Sequence, residues 1–226
     1  MTPEQFAKLE RALDRRQPDL TVFMDAVNKA QNLASIIRTA DAVGIQRLHA
    51  STMGDTMRLH HIIAGGAKHW VAVTVHRSTR AALAALHSEG WRLVAAHGGE
   101  GTRDYREVDY TAKVALIVGP EAVGLSDAAR AAADDHIAIP MHGIGTSLNV
   151  SVAVGVILAE AERQRLATGL YAKSRLSPEE RERTLFEWSY PELAERCRQQ
   201  GHPYPALTPN GQLASNPLID ISTVSQ

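Results

Sequence analysis

The feature that most constrains this chain is a repeated alternation of short apolar runs with segments of helical periodicity. Leu20–Met24, Arg47–Ala50, Val71–Val75, Arg92–Ala96, Val114–Val118 and His136–Ile139 read as strands. Helices are expected at Leu33–Val43, at 79–89, at Ser126–Ala133 and from Leu148 to Ala167, with a shorter one at His60–Ala64 ending at Gly65-Gly66. Ser78 is placed to cap one of these helices, and Gly44 and Gly90 follow the ends of two others. Val114–Val118 is apolar throughout, as a strand must be when both its faces are covered. Strands of that kind alternating with helices predict an α/β fold with a mainly parallel sheet.

With 226 residues, 44% of them hydrophobic, the chain can build one sizeable domain with extensions. Thr2-Pro3 followed by Gln5 has the form of a capping box with proline at the first helical position, and Phe6, Leu9 and Leu13 recur at helical spacing over 3–16. Gln17-Pro18-Asp19 breaks that helix. Ser177-Pro178-Glu179-Glu180 opens a second helical stretch, read as helices 178–189 and 191–200. The expected division is an N-terminal helical extension at 1–18, a core α/β domain at 19–168, a C-terminal helical extension at 169–201 and an irregular tail at 202–226.

No apolar run reaches the roughly 20 residues that cross a bilayer, and Thr2-Pro3-Glu4-Gln5 does not open an apolar signal segment. A cytoplasmic protein is expected. The single cysteine, Cys197, excludes an intramolecular disulfide and a cysteine-based zinc site, and reads as a packing residue on a helix. The ten histidines show no zinc-like spacing, so no metal is expected. A net charge of −1 is not that of a broadly basic nucleic-acid binder. Any RNA affinity must come from local patches such as Lys8, Arg11, Arg15 and Arg16, or Arg163, Arg165, Lys173 and Arg175. On charge alone these read as solvated helix faces, because acidic residues are interspersed.

Two segments mimic other chemistries. Gly143-Ile144-Gly145 lies between a strand and a helix but lacks the third glycine and the acid-bearing strand of a dinucleotide-binding unit. Gly124-Leu125-Ser126-Asp127-Ala128 looks like a hydrolase elbow, yet Gly119–Leu125 separates Ser126 from its strand, so a helix cap is expected there.

Three other segments gather polar groups at strand ends or helix starts. Asn32 stands as a natural N-cap before Leu33–Asp41, with Arg38 in the same run. Gly119-Pro120-Glu121 follows the strand Val114–Val118, and in open parallel sheets ligands bind beyond the carboxyl ends of strands. Gly119 there would let a ligand approach the backbone. Ile139-Pro140-Met141 leads through a glycine-bearing loop to Ser147-Leu148-Asn149, where Ser147 or Asn149 can cap the next helix.

In this order and spacing the three segments resemble the signature motifs of the SpoU–TrmH branch of the SPOUT methyltransferases. Arg15–Val22 and the extension through Tyr190-Pro191 are similar to its tRNA-modifying members, so the resemblance covers all but the tail. It implies a deep trefoil knot in the C-terminal part of the α/β domain, where an unknotted doubly wound sheet is the default. It implies S-adenosylmethionine as cofactor, bound by Ala96, Gly119, Ile139, Met141 and Leu148, and a homodimer whose second subunit helps complete the site. Arg38 becomes the key catalytic residue, holding an RNA phosphate that takes the proton or stabilising charge on the oxygen. Asn32 would position Arg38 or the ribose, Glu121 would orient the arginine or support its loop, and Ser147 and Asn149 would shape the nucleophile site. Arg11, Arg15, Arg16, Arg163 and Arg165 would contact phosphates of tRNA. The implied reaction is 2′-O-methylation of a tRNA ribose, foremost guanosine 18 of the D-loop. The alternatives are another tRNA or rRNA nucleotide, or a catalytically silent RNA-binding module; a serine hydrolase acting through Ser126 is a third, weaker reading.

Overall fold

The computed structural model describes residues 1–52 and 70–214, so the helix expected at 60–64 lies outside the described residues. The chain forms two compact units, Gln17–Lys173 and the pairing of Met1–Arg16 with the described residues from Ser174 on.

In chain order the larger unit contains β1 (Leu20–Asp25), α2 (Ala30–Ala42), β2 (Arg47–Ser51), β3 (Ala72–His76), α3 (Thr79–Ser88), β4 (Arg92–Ala96) and β5 (Arg103–Asp104). A 3-10 turn at Tyr105–Glu107, β6 (Val114–Val118), α4 (Asp127–Ala132), β7 (Asp135–Ala138) and α5 (Val150–Ala167) complete it. The strands form one seven-stranded sheet in the order β3-β2-β1-β6-β4-β7-β5. Each pairing in it is parallel.

The period of two along each strand divides the core between the two faces. Val22 and Met24 of β1 join Val114, Leu116 and Val118 of β6 on one face, under Leu33, Ile36 and Ile37 of α2 and Val154, Ile157 and Leu158 of α5. Phe23, Ala115 and Ile117 point the other way and meet Leu83 and Leu86 of α3 and Ala129 of α4. This two-sided burial is why β6 is apolar at all five positions. The short β5 lies in what reads as a polar loop. It pairs with β7, and Arg103 and Arg92 both hold the Asp135 carboxylate.

Arg165, on the last helix of this unit, is fully buried. Its guanidinium donates to the main-chain oxygens of Tyr110, Asp19 and Ala112, to Gln17 Oε1, and to Asp19 Oδ1 at 2.6 Å.

In the smaller unit α1 (Pro3–Asp14) opens with the expected capping box: Thr2 N–H donates to Gln5 Oε1 at 3.0 Å and Gln5 N–H to Thr2 Oγ1 at 3.3 Å. With α6 (Pro178–Ser189), α1 builds a separate core of Phe6, Leu13, Leu176 and Leu185, and α7 (Pro191–Gln200) follows α6. The two terminal extensions, read separately in the sequence, are thus halves of one unit. Cys197 packs on α7, buried. The tail carries no regular element over 202–214, but it is anchored. Tyr204 stacks on Phe186 with ring centroids 4.6 Å apart, and Tyr190 donates its hydroxyl to the Gly211 carbonyl at 2.8 Å. Among the described residues no helix is long and apolar enough to cross a membrane.

A histidine pair bridges β2 and β3, with His49 Nδ1 2.9 Å from His76 Nε2. Burial, with His76 and Arg47 adding to it, lowers the His49 pKa to about 4. An unfolded chain protonates this ring below about pH 6.5, whereas the folded one resists to about 4. The stabilisation is therefore complete above pH 6.5 and is lost as pH falls. Chemical denaturation at pH 6.5 and at pH 5 should differ by about 2 kcal/mol in the wild type. Most of that difference should vanish in His49→Gln; an unchanged difference would show that other groups set the acid limb.

Candidate active site

β4, β6 and β7 end side by side, and a cavity opens beyond their carboxyl ends. Val118, Leu125, Ile137 and Ile157 supply apolar wall. Ala96, Gly119, Ile139, Met141 and Leu148, the positions expected to hold a cofactor, all border this one cavity, as does Ser147. They come from three different strand ends and one helix approach. Parallel strands make this convergence possible, because all their carboxyl ends lie on one edge.

The loop after β6 folds back on itself. Gly124 N–H donates to the Pro120 carbonyl at 2.7 Å, and Gly124 takes φ +74°. A Cβ added at Gly119 would lie 2.5 Å from the Gly124 oxygen and 2.7 Å from its carbonyl carbon. The sequence suggests that this glycine clears space for a ligand. What it clears first is the loop's own backbone.

Three polar residues expected in catalysis meet beside the cavity. Glu121 Oε1 accepts from Asn32 Nδ2 at 3.1 Å, from Asn149 Nδ2 at 2.8 Å and from Val150 N–H at 3.1 Å. Asn149 Nδ2 also lies 3.1 Å from Asn32 Oδ1. The adjacency of β1 and β6 brings the loop after one beside the loop after the other. Asn149 arrives as the N-cap of α5, accepting from Ser151 N–H at 2.9 Å. Asn32 is not the cap its sequence context suggests: α2 begins at Ala30 with Lys29 as N-cap. That places Asn32 in the first turn, 7% exposed, with its side chain turned to Glu121. The main-chain N–H groups of Glu121 itself and of Val150 hold the Glu121 carboxyl below the usual carboxylate range, and Lys29 and Asn32 add to this. A carboxylate saturated in this way orients two asparagines; it is a weak proton acceptor.

Arg38 does not join this cluster. Six residues beyond Asn32, it lies about 240° further around the helix, and its side chain is exposed. Its guanidinium has no hydrogen bond or ion pair among the described residues. Glu121 holds the two asparagines and makes no hydrogen bond or ion pair with Arg38.

Two of the five arginines expected on RNA are inside the protein. Arg165 is spent on main-chain carbonyls and Asp19. Arg16 is 2% exposed and lies over the Trp188 ring at 4.8 Å. Both are buried, and the donors of Arg165 are committed within the protein. Arg11, Arg15 and Arg163 are exposed, and Arg163 pairs with Glu160 at 2.7 Å.

Other polar groups around the cavity escape a motif reading. Asp25 at the end of β1 is 1% exposed. Its carboxylate accepts from Thr79 Oγ1 at 2.9 Å, Ser51 Oγ at 3.3 Å and Ser126 N–H at 2.8 Å. It thereby ties the cavity's loop to β2 and α3. Ser126 caps α4, accepting from Ala129 N–H at 3.2 Å, which is the structural role expected in place of a nucleophile. His97 and Arg130 also line the cavity. For His97 a signal existed, since it directly follows Ala96 at a strand end. Arg130 carried none.

Residues 19–159 match the SpoU rRNA Methylase family, and residues 163–216 match the C-terminal SpoU, rRNA methylase segment. The chain is 43% identical over 218 residues to the tRNA (guanosine(18)-2'-O)-methyltransferase of Escherichia coli K12, covering 96% of this chain and 95% of that one. It resembles the crystal structure of the Aquifex aeolicus TrmH/SpoU tRNA modifying enzyme with TM-score 0.75 and 35% identity, over 84% of this chain and 97% of that one. The SpoU methyltransferase AviRb from Streptomyces viridochromogenes, in complex with the cofactor AdoMet, aligns with TM-score 0.57 and 27% identity, over 68% of this chain and 62% of that one. With motifs, parallel sheet and strand-end cavity in agreement, the chain belongs to the SpoU/TrmH family of SPOUT methyltransferases.

Proposed function

We propose that this protein transfers a methyl group from S-adenosylmethionine to the 2′-hydroxyl of a tRNA ribose, that of guanosine 18 in the D-loop. The observation that carries the reading is the hydrogen-bonded Asn32–Glu121–Asn149 cluster beside the strand-end cavity. A family relative of 43% identity along nearly the whole chain bears the same activity in its name.

The cavity fits the cofactor chemically. Val118, Leu125, Ile137 and Ile157 offer apolar contact to a purine and to thioether carbons. The main chain at Ala96, Ile139 and Leu148 offers the donors and acceptors that an adenine edge and a ribose require. When bound, S-adenosylmethionine supplies an electrophilic methyl group on a sulfonium. The protein's task is to align the ribose oxygen with it and to handle the hydroxyl proton. Asn32 and Asn149, held by Glu121, orient the ribose. Arg38 carries a guanidinium cation and is no base; it holds an RNA phosphate that takes the proton, or it stabilises the charge developing on the oxygen.

The proposed partners are tRNA and a second copy of this chain. Val123, Ile144 and Val152 are exposed, at 77%, 103% and 50%, on the loops and helix next to the cavity. Apolar side chains this exposed suit a covered face, and a two-fold dimer is the common arrangement. The dimer would bring a second subunit to the site, where Arg38 has no partner among the described residues. Arg11, Arg15 and Arg163 are the proposed phosphate contacts, contributing affinity more than sequence choice. The family's deep trefoil knot is proposed for the segment holding β6, β7 and α5, whose loops converge on the cavity. The proposed setting is the cytoplasm.

The test is methyl transfer from labelled S-adenosylmethionine to an unmodified tRNA transcript, with Arg38→Ala in parallel. Label on the guanosine 18 ribose, lost in the variant, is expected. Label on another nucleotide, or on rRNA alone, would overturn the substrate assignment. Cofactor binding with no transfer to either RNA would favour a silent RNA-binding module.

A further inference from the structure

Charged groups of both signs line the cavity. Glu121 is one, and its Oε1 is already taken by three donors. Arg130 is another, with His97 beside it. Among the described residues Arg130 has no carboxylate partner, and its contacts are weak. Nε reaches the Leu125 carbonyl at 3.4 Å, and Nη1 lies 3.3 Å from His97 Nδ1.

The contact with His97 does not satisfy Nη1. His97 Nδ1 lies 2.8 Å from the Gly98 carbonyl, a contact that requires the proton on Nδ1. His97 Nε2 is then an acceptor, matched by a donor at His136 Nδ1 2.8 Å away. In this tautomer His97 offers Arg130 no lone pair. Arg130 is exposed and lines the cavity, so its guanidinium keeps donors that an anionic acceptor can take. Gly124 leaves room for it, since a Cβ there would sit 3.4 Å from Nη2.

We propose that Arg130 binds the α-carboxylate of the amino-acid end of S-adenosylmethionine. The inference rests on the cofactor reading given above. It adds a charged side chain to a site whose other expected contacts are main-chain groups. A carboxylate entering a partly apolar cavity needs this compensation, and Arg130 is the arginine lining it among the described residues.

Calorimetric titration with S-adenosylmethionine and with decarboxylated S-adenosylmethionine tests it, because the two differ by the carboxylate alone. The wild type should bind the carboxylate form more tightly. Arg130→Ala should lose roughly 10- to 100-fold in affinity for S-adenosylmethionine and less than about threefold for the decarboxylated form. Arg130→Gln serves as a second variant, and an unchanged melting temperature of the free protein verifies the fold of both. Equal losses for the two ligands, or no loss for either, would overturn the inference while leaving the cofactor reading intact. A wild type that binds neither ligand would overturn the cofactor reading and this inference together.

Discussion

Replacing Arg165 with methionine should lower the stability of this protein by about 3–5 kcal/mol and its melting temperature by roughly 10 °C. The side chain is 0% exposed and makes five hydrogen bonds to four residues. Methionine fills a similar volume, so the loss is not chiefly one of packing. It removes a donor from the Tyr110, Ala112 and Asp19 carbonyls and from Gln17 Oε1, the Asp19 carbonyl keeping Val114 N–H at 2.9 Å, and it strips Asp19 of the cation at 2.6 Å. Breaking one side of a buried pair costs more than the pair is worth, because the remaining polar groups stay desolvated. Adding Asp19→Asn should recover part of the loss, which a double-mutant cycle by thermal denaturation would read. The same experiment separates a core arginine from an RNA-binding one. Arg163→Ala, two residues away and exposed, should leave the melting temperature unchanged and reduce the salt dependence of tRNA binding. An Arg165→Met protein as stable as the wild type but weakened toward tRNA would return that residue to the phosphate surface.

Gly119→Ala should abolish measurable binding of S-adenosylmethionine at concentrations that saturate the wild type. The added methyl meets the Gly124 carbonyl at 2.5 Å, and backbone cannot rotate aside as a side chain can. The loop from Pro120 to Gly124 must open, and Glu121 rides on that loop. The three donors that converge on Glu121 Oε1 then lose their common acceptor. Overpacking of this kind also costs about 1–3 kcal/mol of stability. Calorimetry and melting should therefore both change. Normal affinity in Gly119→Ala would show that the loop is not held closed as described.

Periodicity and caps made much of the fold legible in the sequence. Val114–Val118, apolar at every position, announced a strand covered on both faces, and Thr2 with Gln5 announced the start of α1. Local patterns failed where tertiary contacts decide. β5, at Arg103–Asp104, is two residues long and exists because β7 offers an edge and Asp135 a counter-charge. Asn32 looked like a cap because asparagine before an apolar run usually is one, yet its partner is Glu121, 89 residues away. Arg165 looked like its neighbour Arg163, since both stand in a charged stretch of one helix. Their positions around that helix, about 200° apart, put one in the core and the other in solvent. The union of both terminal extensions in one unit needed contacts such as Arg181 with Asp14 at 2.7 Å, 167 residues apart in the chain. The site was legible as three motifs, but its hydrogen-bond geometry was not.

The Asn32–Glu121–Asn149 cluster and the adjoining cavity are proposed to serve methyl transfer to one ribose oxygen of tRNA. The most direct measurement compares two tRNA transcripts under single-turnover conditions with labelled S-adenosylmethionine. One is unmodified; the other carries a single 2′-deoxyguanosine at position 18. Label is expected on the first and none on the second, since only the receiving oxygen has been removed. Equal labelling of both would contradict it, placing the methyl group on another atom or another nucleotide.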